Sequence, residues 1–503
     1  MPCCFHGKHW LEEGEAGCQF KNSDTPLIDW NGRTYCDFHL PMGTPEPMAA
    51  PDDAPSPKAA WDKAKIKAFN NSIFSIIDRA KEANDGADLA GVVFPGKISF
   101  ARYGADNPLP NITFRSATFS GNTDFKKVAF SKRLVFIEAI FFAVGEFSHS
   151  LFSGYTRFRG TKFYEDIIFT KVRFAGYTDF GGAVFYEDAV FLWSNFDSDA
   201  NFEHATFSGR TNFENATFSL DADFSGFVGP RNADGGKVGA TSVTTALEPD
   251  RASFRTAIFI DTTFGGACNF NDRRFLKTTS FRGAKFTKAP KFHNAVLHQD
   301  TDFTDAEFPD TTNDDAARNY RTLKLAMEKL RARDEEAMFF ALEQRSLRDR
   351  VVRSTFANIL SFRAKQRPPP PRSVMSGAER LASEIYDKTA DYGRSFARPL
   401  LWMLAVLAVF WFLYFSYIGS VGSPAGPPMA AFGDSVGFAI EQVFRPFAVW
   451  GRRYDLPFTF HGLYFAPGWR FLGLKLLATA HSLITLGLFT LFLLALRKRF
   501  RMI

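Results

Sequence analysis

Residues 177–202 read YTDFGGAVFYEDAVFLWSNFDSDANF, and the spacing of their phenylalanines decides the fold. An α-helix repeats every 3.6 residues and a strand alternates every two, so neither element explains a large ring at steps of five and six residues. The stretch instead predicts a chain that makes one side of a coil between successive rings. The rings are Phe180, Phe185, Phe191, Phe196 and Phe202.

The same pattern extends far beyond this stretch. Phenylalanine keeps an eleven-residue period from Phe114 to Phe224 and resumes from Phe254 to Phe308. The chain has 59 Phe against 13 Tyr and 8 Trp, so one residue type fills a repeated position. Two residues before most rings stands a small or β-branched side chain. Such a pattern stacks ring on ring and small residue on small residue, with coils about 4.8 Å apart.

The units AVFYE, ATFSG, AKFTK and AEFPD resemble the pentapeptide-repeat family, in a variant where alternate units gain one residue. The resemblance implies a mainly β fold, a right-handed quadrilateral β-helix, over residues 87–309. Residues 114–224 would form about five coils and residues 254–308 about two and a half, giving a rod on the order of 40 Å long. Residues 226–252 break the period and predict a loop insertion, either a binding element or tolerated padding.

Four of the five cysteines lie near the N-terminus, together with three histidines. No signal peptide precedes them, so we expect a reducing cytosol, where such clusters bind metal more often than they form disulfides. Residues 1–42 resemble a small zinc module that ends in YCxxHxP, which implies a structural zinc; the alternative is a disordered tail with reduced thiols. No HExxH motif favours catalytic zinc. The expected ligands are Cys4, Cys18, Cys36 and His39, with Cys3, His6 and His9 as alternates.

Composition and periodicity divide the rest of the cytosolic part. Residues 43–60 are rich in Pro and Ala and predict a linker, and residues 61–86 predict an amphipathic helix that caps the rod. Residues 312–362 predict a helical hairpin that closes its other end. Residues 363–396 predict a basic, proline-rich linker, whose charge suits anionic lipid.

The C-terminal domain, residues 397–503, contains two long apolar stretches. The first runs from about Pro399 to Gly419 and the second from Phe471 to Leu496, and each is long enough to cross a bilayer. Arginine and lysine precede the first and follow the second, which predicts that both termini are cytoplasmic. Aromatic residues such as Trp402 and Tyr414 are interpreted as interfacial or facing lipid.

This domain resembles the two-span, ion-channel-like module of bacterial pentapeptide-repeat proteins, which implies a location in the bacterial inner membrane. The family has a pore-loop helix between the spans, here residues 432–450, although no TVGYG filter follows it. Polar residues near or within the spans are candidates for a pore, and interhelical hydrogen bonds are the alternative explanation. The candidates are Glu441, Arg445, Thr479, His481, Ser482 and Thr485.

Three functions are compatible with this organisation, and no catalytic motif makes the chain an enzyme. The first is an ion-channel-like pore with a cytosolic rod that senses or binds a protein partner. Because two spans cannot enclose a pore, it requires a homo-oligomer. The second is a non-conducting inner-membrane scaffold or adaptor. The third is a DNA mimic that modulates topoisomerase, but the near-neutral rod argues against it and against a nucleic-acid partner.

Overall fold

A computed structural model describes the following parts of the chain: residues 18, 20, 27–30, 33–43, 56–226, 253–361, 376–421, 428–444 and 468–500. The protein divides into two compact units, Met1–Glu335 and Glu336–Ile503.

The first unit begins with a small segment, which we call the knuckle, and a helix. The described part of the knuckle is Cys18, Phe20 and residues 27–30 and 33–43. Strands Ile28–Trp30 and Arg33–Tyr35 pair antiparallel, and a turn over residues 37–39 follows. After a short 3₁₀ helix, Pro57–Ala60, helix α1 spans Lys63–Glu82. The Asp62 side chain accepts from the Lys65 amide at 2.7 Å and so caps the N-terminus of α1. Its apolar face buries Phe69, Ile73 and Ile77, and the Phe69 ring meets Phe94 of the first coil edge-on at 6.1 Å.

The rod is a β-solenoid of about nine turns with four faces. Its strands are mostly two residues long and pair in parallel with the strand 22 residues further on, as Thr156 pairs with Thr178. The first face is an eight-stranded sheet and the fourth a seven-stranded sheet, while the second and third faces are joined in one sheet. The quadrilateral β-helix predicted from the ring spacing is therefore confirmed.

The strands of each face follow one another along the rod. Those of the first face are Ala87–Asp88, Ile112–Thr113, Leu134–Val135, Thr156–Arg157, Thr178–Asp179, Ala200–Asn201, Ala222–Asp223 and Cys268–Asn269. Those of the second are Val93–Phe94, Thr118–Phe119, Ile140–Phe141, Lys162–Phe163, Val184–Phe185 and Arg274–Phe275. Those of the third are Ile98–Ser99, Thr123–Asp124, Gly145–Glu146, Ile167–Ile168, Ala189–Val190, Thr279–Ser280 and Thr301–Asp302. Those of the fourth are Ala129–Phe130, Leu151–Phe152, Arg173–Phe174, Asn195–Phe196, Thr217–Phe218, Thr263–Phe264 and Lys285–Phe286. Two longer strands, Thr206–Asn212 and Ser253–Ile258, run through the corner between the second and third faces.

The phenylalanines form four columns inside the rod. Phe180, for example, is fully buried and stacks in parallel on Phe158 at 4.6 Å and on Phe202 at 4.9 Å between ring centroids. It also meets Phe169 and Phe191 edge-on, each at 5.6 Å. Both geometries are favourable for aromatic rings, so each coil rests on the previous one through ring-to-ring contacts.

The alternation of five-residue and six-residue steps reflects two kinds of corner. In the five-residue step, the residue two after the ring has a positive φ, as at Glu138 (φ 58°), and the Ala139 amide donates to the Phe136 carbonyl at 2.9 Å. This is a β-turn with a left-handed third residue. In the six-residue step the backbones of adjacent coils approach closely. A Cβ placed on Gly154 would lie 2.3 Å from the Lys132 carbonyl oxygen, so only glycine fits there.

Arg273 lies inside the rod, at a corner position where other coils carry a small residue. It is completely buried. Its guanidinium donates to the carbonyl oxygens of Phe224, Ala205, Phe202 and Ser225. The side chain thus connects its own coil to the two preceding coils, next to the point where the described chain stops at Gly226 and resumes at Ser253. Burial lowers the pKa of Arg273 to about 9, and the four carbonyls satisfy its donors.

Helix α2, Ala316–Leu330, packs on the last coil. The Asn319 amide donates to the Ala289 carbonyl at 3.0 Å, and the Tyr320 hydroxyl donates to the Asp310 carbonyl at 2.7 Å. The Tyr320 ring meets Phe308 edge-on at 6.1 Å. This end of the rod is therefore covered by a helix.

The second unit is helical. Helix α3 spans Arg333–Ser361, and α4, Gly377–Ala390, starts at a Ser376–Glu379 capping box. After a 3₁₀ turn, Asp391–Gly393, come α5, Ala397–Val421, α6, Pro428–Phe444, and α7, Gly468–Phe500. Helices α5, α6 and α7 pack around a common core: Phe410, Tyr414, Phe438, Ala439, Leu474 and Ala478. Helices α5 and α7 are each long and apolar enough to cross a membrane.

Candidate functional site

Three of the predicted metal ligands meet in the knuckle at the N-terminal end of the rod. The Sγ atoms of Cys18 and Cys36 are 3.6 Å apart, and the His39 Nδ1 lies 3.4 Å from the first and 3.2 Å from the second. All three side chains are at least 95% buried. Cys4 and the alternates Cys3, His6 and His9 lie outside the described residues.

These distances fit one metal ion held by the three atoms. Tetrahedral zinc, with Zn–S of about 2.3 Å and Zn–N of about 2.0–2.1 Å, places two thiolates about 3.8 Å apart and each about 3.5 Å from the nitrogen. The observed separations are within a few tenths of an ångström of those values. A disulfide would bring the two sulfurs to about 2.05 Å, so Cys18 and Cys36 do not form a disulfide with each other.

The imidazole of His39 is oriented for this role by the rod. Its Nε2 lies 3.1 Å from the carbonyl oxygen of Ala90, in the first coil. A carbonyl oxygen only accepts hydrogen bonds, so Nε2 carries the proton and the lone pair of the neutral ring is on Nδ1, beside the two thiols. A backbone carbonyl on the second ring nitrogen is the usual support of a metal-binding histidine.

Lys58 is a functional neighbour that the sequence reasoning missed. Its ammonium donates to the carbonyls of Asp37 and Phe38, between the two ligands of the Cys36–His39 turn, and lies 4.6 Å from the Phe69 ring centroid. Burial lowers the pKa of Lys58 to about 7, although Asp37 and Cys36 act in the opposite direction. In its protonated form, Lys58 favours the thiolate form that a metal needs. The only sequence signal was a lysine directly after Ser56-Pro57.

A second polar cluster lies inside the three-helix bundle of the second unit. His481 of α7 is completely buried. Its ring stacks on Phe410 at 4.4 Å and 6°, and its Nδ1 is 3.3 Å from the Tyr414 hydroxyl. Tyr414 is also completely buried, so its interpretation as a lipid-facing aromatic was wrong. Its hydroxyl needs a polar partner, which α7 supplies.

Helix α6 contributes the remaining polar groups. The Ser482 hydroxyl donates to the Gln442 backbone carbonyl at 3.1 Å, and the Trp411 indole donates to the Ser435 hydroxyl at 3.1 Å. Ser435 and Gln442 are buried, whereas Ile440 and Phe444 on the same helix are exposed. The face of α6 that packs on the bundle therefore combines the polar Ser435 and Gln442 with the apolar Phe438 and Ala439, while Ile440 and Phe444 face outward.

The structure separates the six residues predicted near the pore. His481, Ser482 and Thr485 come together in the bundle. Thr479 is exposed and its hydroxyl donates to the Lys475 carbonyl of its own helix at 2.8 Å. Glu441 is half-buried on α6. Arg445 lies outside the described residues.

The regular coils are recognisable by comparison with known families. Residues 147–192 match the family of pentapeptide repeats (9 copies). No curated protein and no solved structure matches the chain significantly. The pentapeptide-repeat β-helix is a structural fold, not typically catalytic, and together with the two apolar helices it indicates a membrane-associated repeat protein.

The pentapeptide-repeat rod carries an aromatic ladder on its second face. Phe142 stacks on Tyr164 at 4.9 Å, and Tyr164 stacks on Tyr186 at 4.6 Å. All three rings are half-buried. Nearby in sequence, Trp193 is 53% exposed at a left-handed corner (φ 58°), where a bulky residue is unusual. Exposed aromatic rings on a rigid scaffold are typical of protein-binding surfaces.

An ionic cluster joins α3 to the segment that precedes the first apolar helix. Arg345 contacts Asp387 at 2.7 Å and Asp391 at 2.6 Å, and Arg348 contacts Asp387 at 2.8 Å. Beside it, Tyr392 has a left-handed backbone (φ 51°). Its buried hydroxyl lies 2.7 Å from the Ser383 hydroxyl. Such a conformation persists only when surrounding contacts enforce it, so this cluster fixes how the chain enters α5.

Proposed function

We propose that this protein is a membrane-anchored scaffold of the bacterial inner membrane, with its pentapeptide-repeat rod and both termini in the cytoplasm. Helices α5 and α7 cross the bilayer and hold the rod at the membrane surface. Basic residues before α5 and at the end of α7 support this orientation.

The burial of the polar side chains of the bundle is the observation that carries this proposal. His481, Thr485, Ser435 and Gln442 are all at least 99% buried within a single chain. Large apolar side chains, by contrast, are exposed on the outer surface, including Leu401, Phe412, Leu476 and Leu483. Lipid suits such a surface. A pore between several chains requires polar groups on the surface of each chain, and here these four polar side chains are buried inside it, while the exposed Thr479 and Thr490 hydroxyls donate to carbonyls of their own helix.

The metal centre supports the same function. We assign Cys18, Cys36 and His39 to a structural zinc, with Cys4 as the expected fourth ligand. When bound, zinc would supply cross-linking energy to a segment too small to form its own core. His39 and Phe38 attach the knuckle to the first coil of the rod through hydrogen bonds to Ala90 and Val93.

The rod supplies the binding surface of the scaffold. The ladder of Phe142, Tyr164 and Tyr186 is the surface that we assign to a cytosolic protein partner. The near-neutral charge of the rod does not support imitation of DNA. A photo-crosslinker at residue 164 should label the partner, whereas one at residue 282, far along the rod, should not.

The second candidate function is an oligomeric, ion-channel-like pore. It is favoured by one observation, the presence of α6 between the two apolar helices in the chain, with Ser435 and Gln442 buried against them. In this function the polar groups of the bundle would become accessible on assembly or opening.

Ion flux through proteoliposomes tests the two functions. The purified full-length chain, reconstituted at known copy number, should give no K⁺, Na⁺ or Cl⁻ flux above that of empty vesicles at any applied potential. A steady flux that His481→Leu abolishes would reject the scaffold and support the pore. Size measurement of the same sample in detergent gives the oligomeric state, and a monomer without flux supports the scaffold.

A further inference from the structure

The buried face of α7 carries two polar atoms that no protein group satisfies. Along this face lie Leu474, Ala478, His481, Thr485 and Leu488, all buried. Within the part of the chain that the structure describes, the His481 Nε2 and the Thr485 Oγ1 have no hydrogen-bond partner. Their residues are one helical turn apart, on the same side of the helix.

Thr485 differs from the other threonines of its helix in this respect. The Thr479 and Thr490 hydroxyls donate to the carbonyls four residues earlier, Lys475 and Leu486, each at 2.8 Å. A threonine in an apolar helix normally satisfies its hydroxyl in this way. Both of those residues are exposed, whereas Thr485 is 1% exposed. The buried hydroxyl is therefore available for another partner.

The environment of His481 limits what that partner is. Its ring is fixed on both sides, by stacking on Phe410 and by the contact of Nδ1 with the Tyr414 hydroxyl. The ring therefore cannot swing Nε2 out to solvent. A buried polar atom without a partner costs about 1–3 kcal/mol, and two such atoms on one face of a helix, one turn apart, are a suitable setting for an internal water.

We propose that His481 and Thr485 bind a water molecule inside the membrane bundle. The water accepts from one of the two side chains and donates to the other, and so extends the Tyr414–His481 pair into a hydrogen-bonded chain of three side chains. A bulky ligand does not fit, because both side chains are at least 99% buried. This site does not depend on whether the bundle conducts ions.

Removal of the hydroxyl at constant shape tests the site by the sign of its effect. If a water is bound, Thr485→Val deprives it of a partner, and we expect the unfolding equilibrium constant in mixed micelles to rise about fivefold or more. If the two atoms are simply unsatisfied, the same change removes a cost, and the protein becomes more stable or stays unchanged. That outcome would overturn the proposal. Thr490→Val, which removes an exposed hydroxyl bonded to its own helix, is the matched control and should change little.

A direct measurement covers the case in which the variant folds poorly. In the full-length protein with ¹⁵N-labelled histidine, the ring of His481, identified by its loss in His481→Phe, should show magnetisation transfer from water at Nε2. Thr485→Ser, which keeps the hydroxyl, should preserve the signal. Absence of the signal in the unmodified protein would overturn the proposal, as would a stability that rises with Na⁺ or K⁺ but not with choline, which would assign a cation to the site.

Discussion

The His39 imidazole donates a hydrogen bond to the Ala90 carbonyl, 3.1 Å away, and so connects the thiol cluster to the rod. The adjacent Phe38 carbonyl accepts from the Val93 amide at 2.8 Å, at the edge of the second face. The knuckle therefore occupies backbone groups that the first coil would otherwise present to solvent. Any ion that fixes the knuckle also stabilises this edge.

The first prediction concerns the metal. The purified full-length protein should contain about one zinc per chain, and Cys36→Ala should reduce this well below one, because only three of the four assigned ligands remain to hold the metal. Atomic emission spectroscopy measures the content. Hydrogen exchange should become faster in peptides that cover residues 87–100 of the variant, since the Phe38 carbonyl no longer holds the Val93 amide.

Cys268→Ala is the matched control for this prediction. Cys268 is a buried thiol in the rod, at a position where the two preceding coils carry alanine, so its loss should change neither the zinc content nor the exchange. A zinc-free wild-type protein would show that the thiol cluster is not a zinc site.

The second prediction concerns the ring columns. Phe180→Ala should lower the free energy of unfolding of the rod by about 3–5 kcal/mol, because it removes two stacked and two edge-on contacts and leaves a cavity. Phe142→Ala, which removes a half-buried ring from the outer ladder, should cost about 1 kcal/mol. Urea unfolding followed by circular dichroism compares the two. Equal losses would contradict the division between core and surface rings.

Arg273 gives the third prediction. Arg273→Met keeps the bulk of the side chain but leaves four carbonyls without their donor, and should destabilise the rod by about 3–5 kcal/mol. The stability of Arg273→Lys should lie between those of the unmodified protein and Arg273→Met, because an ammonium cannot reproduce the planar fork of donors. Arg282→Met, at an exposed position, should leave the stability of the rod unchanged. Thermal unfolding measures all three variants. A neutral Arg273→Met would mean that the guanidinium is not needed to satisfy these carbonyls.

The fourth prediction concerns the ionic cluster before α5. Burial raises the pKa of Asp387, but the hydrogen bonds and charges of Arg345 and Arg348 outweigh it and hold the pKa below its ordinary value. A carboxyl group whose pKa is lower in the folded state stabilises the fold above its unfolded pKa. This stabilisation is lost as the pH falls through the folded pKa. The stability that the cluster contributes should therefore be constant between about pH 5 and 8 and should decrease only below about pH 4.

Asp387→Asn tests this cluster at neutral pH. It should lower the stability of the second unit by about 2 kcal/mol and remove the stability change below pH 4. Glu384→Gln breaks an exposed pair with Lys388 and should cost less than about 0.5 kcal/mol. Thermal unfolding in detergent across this pH range measures both. An acid-induced loss that persists in Asp387→Asn would have to come from other carboxylates.

The repeat was predictable because its signal is periodic and redundant. Any single ring carries little information, but an interval of five and six residues sustained over many coils fits one architecture. The corner types were not predictable from residue identity, since Ser116, Lys127, Glu138 and Trp193 all occupy the left-handed position. At these corners the stacking of the coils determines the backbone conformation, whichever side chain is present.

The sites were less predictable, because each depends on contacts between distant segments. Cys18, Cys36 and His39 were found through their residue types, whereas Lys58 and Ala90 carry no comparable signal. In the helical bundle of the second unit, the polar residues were found by their rarity in an apolar stretch. Only the packing of α5 against α7 revealed that His481 points to Tyr414 while Thr479 faces away.

Both ends of the rod are closed, by the knuckle at Val93 and by α2 at Ala289 and Asp310, and this has a consequence for self-association. A β-solenoid with bare ends offers a template on which a second rod can add by strand pairing, the first step of fibril growth. The C-terminal end is covered by α2. The N-terminal end is covered by α1 together with the knuckle, and the part of the edge at Val93 depends on the thiol cluster. Oxidation or chelation at Cys36 would thus expose this part of the edge and favour end-to-end association of rods.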